Sequence, residues 1–293
     1  MTDPRATPTC AVQGMATVLE HVQLARGTFR IRLAEPSIAA AIAPGQFVMI
    51  RPAHSGPDPL LGRPFALYDV LRDSSAHAHA IDIVYLVMGR GTSLLTTRKV
   101  GESLAIWGPL GHHFGPPPQD EGPIVFVAGG IGQTPFLSLA RWWSGEAEYG
   151  AQSFPKPPTS REILLYYGAR NEAFLAGVGD FRGAGVRVRL ATDDGSAGHH
   201  GFVTDLLRKD LDEGLRPAKI LGCGPHPMLA ALQSLVVPRG IACELSLENH
   251  MACGFGACFS CVAPIRQADG TTDLRRVCVD GPIFPAKSVV FQP

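Results

Sequence analysis

The chain lacks an excess of charge of either sign. Lys plus Arg and Asp plus Glu each total 26 in 293 residues, and no basic run breaks that balance. Without a basic field nothing draws in a nucleic acid backbone or an anionic membrane surface, so neither is an expected partner. Long apolar runs are also missing. The longest covers 124–143 and is interrupted by Gly129, Gly130, Gly132, Gln133 and Pro135, whereas a membrane span needs about 20 predominantly apolar residues. Residues 1–14 lack the basic patch and apolar stretch of a signal peptide. The expectation is a soluble, cytoplasmic protein. No internal repeat, Ser–His–Asp order or paired carboxylates can be read along the chain. His77, His79, His112, His113, His199 and His200 lie in loop-like stretches without metal-ligand spacing.

What remains is globular: 45% hydrophobic and 18% charged residues, in a length suited to about two domains. Cysteine is the informative residue. Of seven, Cys253, Cys258, Cys261 and Cys278 follow a C-x4-C-x2-C pattern with sixteen residues before the last Cys. This is close to the plant-type spacing that holds a two-iron, two-sulfur cluster. Gly254, Gly256 and Ala257 let the loop wrap closely and aim N–H groups at sulfur. A structural zinc ion also takes four thiolates, although zinc ribbons usually separate two C-x2-C pairs. Buried free cysteines are the third reading. Thiolate ligands imply a reducing compartment.

Three blocks divide the chain, giving an α/β plus β fold class. In residues 1–115, short β-branched or alternating runs at 12–22, 28–33, 46–51, 63–70, 80–87 and 103–107, with one helix near 92–99, predict a small antiparallel β-barrel. Pro116, Pro117 and Pro118 make a stiff connector. Residues 120–247 alternate strand and helix, which predicts a parallel-sheet α/β nucleotide-binding domain. Segment 145–160 is a polar, proline-bearing excursion within it, and 248–293 form a small C-terminal cluster lobe.

Two glycine turns in the middle block follow strands. In Gly129-Gly130-Ile131-Gly132 the backbone can approach a pyrophosphate at a helix start, with Pro135 suited to the first turn. No Lys follows, so this is no P-loop. Cys223-Gly224-Pro225 follows a later strand, and in a doubly wound sheet both turns face one crevice. Cys223 is then either beside a nicotinamide or a small buried residue. In the barrel, Arg63 offers a planar fork to a flavin pyrophosphate, and Gly91-Thr92 opens a helix nearby. Read alone, Arg63 is a charged strand residue and the glycines a hairpin.

In order, Arg63-Pro64-Phe65, Gly89-x-Gly91-Thr92, Gly108-Pro109-Leu110-Gly111, Gly129-Gly130-Ile131-Gly132, Asp194-Gly195-Ser196 and Cys223-Gly224-Pro225 resemble the ferredoxin-reductase superfamily. The segment 247–254, reading LENHMACG, and Cys278-Val279-Asp280-Gly281-Pro282 resemble more closely the electron-transfer subunits of dihydroorotate dehydrogenase B. The resemblance implies an NAD-linked iron–sulfur flavoprotein of pyrimidine biosynthesis with FAD, a 2Fe-2S cluster and NAD as substrate. FAD would contact Arg63, Pro64, Phe65, Ala66, Val84, Tyr85, Leu86, Gly91 and Thr92. NAD would meet Gly129, Gly130, Gly132, Cys223, Gly224 and Pro225. Relatives commonly carry Ser or Thr at Ala66 and a basic residue at Leu86. Dihydroorotate itself would be oxidised on a separate FMN-containing catalytic subunit, two of each forming a heterotetramer. Electrons would pass from FMN through the cluster and FAD to NAD+. The apolar tail 281–285 is then a candidate part of that interface, or core. Related subunits of ferredoxin:NADP reductase or sulfide dehydrogenase type are similar over the same motifs. A zinc-stabilised docking protein is the alternative of another class. Arg170 would favour NADP if it met a 2′-phosphate, whereas the resemblance implies NAD.

Overall fold

The computed structural model describes residues 11–52, 59–150 and 161–291. Most of the 1–14 segment and part of the 145–160 excursion therefore lie outside the described residues.

The first block contains β1 (Val12–Ala25), β2 (Thr28–Ala34), α1 (Pro36–Ala41), β3 (Phe47–Arg51), β4 (Arg63–Ala66), β5 (Asp69–Arg72), β6 (Ala78–Leu86), α2 (Arg90–Leu95) and β7 (Ser103–Leu110). The strands form one antiparallel sheet in the order β4-β3-β7-β1-β2-β6-β5. Strands β4 and β5 stand at opposite edges, yet only Leu67 and Tyr68 separate them. Three peptide steps reach at most about 11 Å, so the sheet must curl until its edges meet. Leu67 N donates to Gln46 O beside one edge, and Tyr68 N to Asp82 O on the other side. A single strand over 63–70 is thus corrected to two, because the chain changes pairing partner in mid-run.

Helix α1 is a second correction, since the sequence pattern predicts one helix in this block. Six residues are too few to display a helical period. Its start is fixed locally, with Pro36 in the first turn and Ile38 N donating to the Glu35 carboxylate at 2.6 Å. It buries Ile38 and Ala39 against β6 and β7. Helix α2 begins at Arg90, two residues before the predicted helix, and ends at Leu95.

The second block runs β8 (Ile124–Gly129), α3 (Phe136–Ser144), β9 (Ile163–Ala169), α4 (Val178–Gly183), β10 (Arg187–Thr192), β11 (His199–His200), α5 (Val203–Asp212), β12 (Lys219–Cys223), α6 (His226–Val236) and β13 (Cys243–Ser246). The remainder supplies β14 (Val262–Arg266), β15 (Thr272–Arg276) and β16 (Ile283–Pro285). The second sheet has the order β11-β10-β9-β8-β12-β13-β16, all parallel except the last pair. Ile124, Val125, Phe126 and Val127 of β8 are buried on both faces, the signature of a central parallel strand. Strand order reverses between β8 and β12, which opens a crevice at their carboxyl ends. Strand β16 pairs antiparallel with β13, and Ile283 and Phe284 are buried. The tail 281–285 is therefore core rather than a partner-facing surface.

One apolar core runs from the barrel (Ile31, Leu67, Ile83) to Phe126, Phe136 and Leu139 of the second block. Polar ties reinforce it: Tyr68 Oη donates to Asp180 at 2.7 Å, and Tyr149 Oη to Asp69 at 2.6 Å. Burial, with the nearby Asp180 charge, holds the Tyr68 phenol protonated. Tyr68→Phe removes one such hydrogen bond and is expected to cost about 0.5–1.5 kcal/mol. At roughly 2–4 °C per kcal/mol, a thermal melt should register a modest decrease; an unchanged melting temperature would show that the tie contributes nothing. Among the described residues no helix is long and apolar enough to cross a membrane.

Candidate functional site

The crevice between barrel and second sheet gathers most of the glycine motifs, but it sorts them into two groups. Arg63, Pro64 and Ala66 of β4, Leu86 at the end of β6 and Thr92 of α2 are partly exposed. Phe65, Val84 and Tyr85 are at most 7% exposed. Val84 and Tyr85 are consecutive on β6 and so point to opposite faces of the sheet, both of them covered. Phe65 packs edge-on against Tyr85. Tyr85 is anchored in turn by His21, a residue with no sequence signal, whose Nε2 lies 2.8 Å from the phenol oxygen. His21 Nδ1 faces Arg98 O at 2.9 Å. With a carbonyl there, Nδ1 carries the hydrogen and Nε2 accepts from Tyr85.

Gly91 lies close against the Arg63 side chain. A Cβ at position 91 would lie 3.1 Å from Arg63 Nε, so glycine lets the guanidinium rest at the opening of α2. The first N–H groups of a helix have no intrahelical partner, and together with the Arg63 fork they suit a pyrophosphate. Thr92 has a different task. Its hydroxyl accepts from Met88 N and Gly89 N at 2.9 and 3.2 Å, so it shapes the turn.

Across the crevice the two glycine turns interlock. A Cβ on Gly132 would fall 2.2 Å from Cys223 O, and one on Gly224 2.9 Å from Gly129 N. These glycines serve loop-to-loop packing. Gly130, at φ 55° with nothing within 4 Å of its Cβ position, is the one that faces open space. A 3-10 turn over Gly130–Gln133 precedes α3, which starts at Phe136 with Pro135 at its N-cap. Cys223 is 3% exposed, and burial, then the Glu248 charge, push its thiol pKa well up. It is a protonated wall residue at neutral pH.

The cysteine loop is built on the barrel. Trp107 Nε1 of β7 donates to Cys253 O at 2.9 Å. Gly254, at φ 81°, sits where a Cβ would meet Met49 Cγ at 2.6 Å, so only glycine allows this approach. From the other side Arg276 Nη1 donates to Gly256 O at 3.3 Å, and its guanidinium lies 5.1 Å from the centre of the Phe259 ring. Phe259 has a left-handed φ of 55°, rare for a bulky residue. Phe255 and Phe259 are about 60% exposed beside the exposed Cys258, while Cys261 and Cys278 are buried. Trp107, Met49 and Arg276 gave no signal in the sequence.

Among the described residues no group of three or more His, Cys, Asp and Glu side chains is set to hold a metal ion. The sulfurs are neighbours all the same: Cys258 interacts with Cys253, and Cys278 with both Cys261 and Cys253. Hydrogen bonds from Ser260, and then from Cys253, bring the Cys258 thiol down to about 6. Burial, followed by the Cys261 and Cys253 sulfurs, pushes Cys278 up to about 12. A two-iron cluster takes four thiolates, and Cys253, Cys258, Cys261 and Cys278 are four side chains of that chemistry.

Two family models match. Residues 248–290 match the iron–sulfur cluster binding domain of dihydroorotate dehydrogenase B, and 126–234 the oxidoreductase NAD-binding domain. The electron transfer subunit of dihydroorotate dehydrogenase B (NAD(+)) of Geobacillus thermodenitrificans is 36% identical over 278 residues, covering 94% of this chain and 97% of the relative. The corresponding subunit of Desulforamulus reducens is 32% identical over 277 residues, covering 94% and 98%. A solved NADH-dependent reduced ferredoxin-NADP oxidoreductase, studied for flavin-based electron bifurcation, superposes with a TM-score of 0.77 at 25% identity, over 94% of this chain and 90% of that one. The ferredoxin reductase of carbazole 1,9a-dioxygenase shares the fold, with a TM-score of 0.65 at 22% identity, over 82% and 69%. Near-complete coverage at this identity is decisive: the chain belongs to the family of electron transfer subunits of NAD-dependent dihydroorotate dehydrogenase B.

Proposed function

We propose that the chain carries electrons between NAD+ and a separate FMN-containing catalytic subunit that oxidises dihydroorotate, as one half of a cytoplasmic heterotetramer with two copies of each. The observation that carries this reading is the seating of the four-cysteine lobe on the barrel, through Trp107 Nε1 to Cys253 O and the close approach of Gly254 to Met49. Those four residues would hold the 2Fe-2S cluster. Arg63, Pro64, Ala66 and Leu86, with the opening of α2 at Gly91 and Thr92, would hold FAD. Gly130, flanked by Gly129 and Pro225, would meet NAD, while Gly132, Cys223 and Gly224 shape the turns behind it.

A nicotinamide moves electrons in pairs, a cluster singly, and a flavin does both, which is the chemistry FAD supplies when bound. The chain's own residues fix the arrangement. Arg63 orients an anionic phosphate, the interlocked turns keep the nicotinamide side rigid, and Tyr85, held by His21, stiffens the wall behind β4. With Ala66 in place of a hydroxyl, the side chain at that position offers the flavin no hydrogen bond. Exposure of Cys258, Phe255 and Phe259 supports a partner-facing edge at the cluster loop.

The test combines this subunit with its FMN-bearing partner and follows dihydroorotate-dependent NAD+ reduction. The expected result is turnover that requires both subunits. A complex with full FAD and cluster occupancy but no turnover, or one that turns over only with ferredoxin, rejects the assignment of partner.

A further inference from the structure

Ser260 sits between two of the cluster cysteines, and its Oγ lies 3.1 Å from Cys258 Sγ. While the thiol keeps its hydrogen, either atom can donate. As a metal ligand Cys258 is a thiolate with nothing to donate, so the hydroxyl becomes the donor. The approach is made by the backbone. Phe259 takes a φ of 55°, which turns the chain back so that Ser260 returns on the cysteine two residues earlier. Packing of the Phe259 ring under the Arg276 guanidinium holds that turn, and Arg276 is itself tied to Asp280 and Gly256. A left-handed φ is disfavoured for an aromatic residue, so the contact is held against a conformational preference.

We infer that Ser260 is a positioning residue whose hydroxyl donates to Cys258 Sγ and raises the one-electron potential of the cluster held by this loop. The inference rests on the cluster reading above. A hydrogen bond to a ligating sulfur draws off negative charge, and the reduced cluster carries one more electron than the oxidised one. The donor therefore stabilises the reduced form more. One electron enters the cluster from the external reductant; no bond is made or broken, and Ser260 keeps its proton. Because Ser260 is exposed, water competes for the hydroxyl in the free subunit.

The experiment is a dithionite titration, in the presence of mediators, of the full-length holoprotein. Cluster reduction is followed by electron paramagnetic resonance in the wild type, Ser260→Ala and Ser260→Thr. The expected result is a more negative midpoint potential for Ser260→Ala at undiminished iron and sulfide content. Ser260→Thr should return to the wild-type value, and the flavin potential should stay unchanged in all three. A merely structural role would lower cluster content without moving the potential of what remains. Equal potentials for wild type and Ser260→Ala overturn the inference and leave the cluster reading intact. A wild-type protein that carries zinc, or no iron and sulfide, overturns both. If Ser260→Ala retains no cluster, resonance Raman bands of the wild-type iron–sulfur stretches in H2O and D2O provide the readout. Bands that do not move overturn the inference.

Discussion

Cys258→Ser is expected to strip the iron from this subunit and abolish electron passage to the catalytic partner, while NADH still reduces bound FAD. The two outcomes separate because Cys258 is exposed on a loop whose fold is fixed elsewhere, by Trp107 at Cys253, Met49 at Gly254 and Arg276 at Gly256. Removing a residue that supports a metal ligand costs roughly 10–100-fold in affinity, and removing the ligand itself should cost more. Iron and sulfide analysis checks the first outcome. Stopped-flow bleaching of flavin absorbance by NADH checks the second. Full iron content in the variant would reject Cys258 as a ligand. Loss of flavin reduction together with iron would show that the lobe also supports the flavin crevice.

Gly132→Ala should produce the largest structural effect of any single methyl group in the crevice. The added carbon would lie 2.2 Å from Cys223 O, 2.5 Å from Cys223 C and 2.7 Å from Gly224 Cα, all backbone atoms with no rotamer to yield. Overpacking of this kind costs about 1–3 kcal/mol or more. The relief available is to part the two turns, which would also spoil the nucleotide crevice between them. The expected signature is a lowered melting temperature together with NADH binding weakened about tenfold or more, equivalent to roughly 1.4 kcal/mol. Gly130→Ala is the control. Its Cβ position is open, so it should retain the fold apart from about 1–2 kcal/mol of left-handed strain and impair NADH alone. A Gly132→Ala protein no less stable than the wild type would refute the interlock.

The motifs were legible because each is short: four cysteines in fixed spacing, glycines after strands, an arginine before Pro64-Phe65. The division into a β block and an alternating α/β block was legible from periodicity. What could not be read is what depends on distant partners. Trp107 meets Cys253 from 146 positions away, and nothing near either residue announces it. The run 63–70 reads as one strand because local pattern does not show which neighbour a strand will choose, and the change of partner at Leu67 is what closes the barrel. The glycines of the nucleotide turns show a subtler limit. The same residue type serves an interlock at Gly132 and an open approach at Gly130, and only the surroundings distinguish them.

The return of the chain to β16 has a bearing on how such a protein is assembled from parts. The backbone leaves the second sheet after Ser246 and re-enters it at Ile283, its partner across the ladder, with Leu247 N donating to Pro282 O at 2.9 Å to close the gap. Everything between is topologically the tip of a β-hairpin grown to hold a metal centre. Loop-closure entropy rises only slowly with length, so such an insert burdens its host sheet little. The redox lobe is by this geometry a portable cassette. Its attachment points are the antiparallel edge pair of the sheet and, on the barrel, the Trp107 indole and the Met49 side chain.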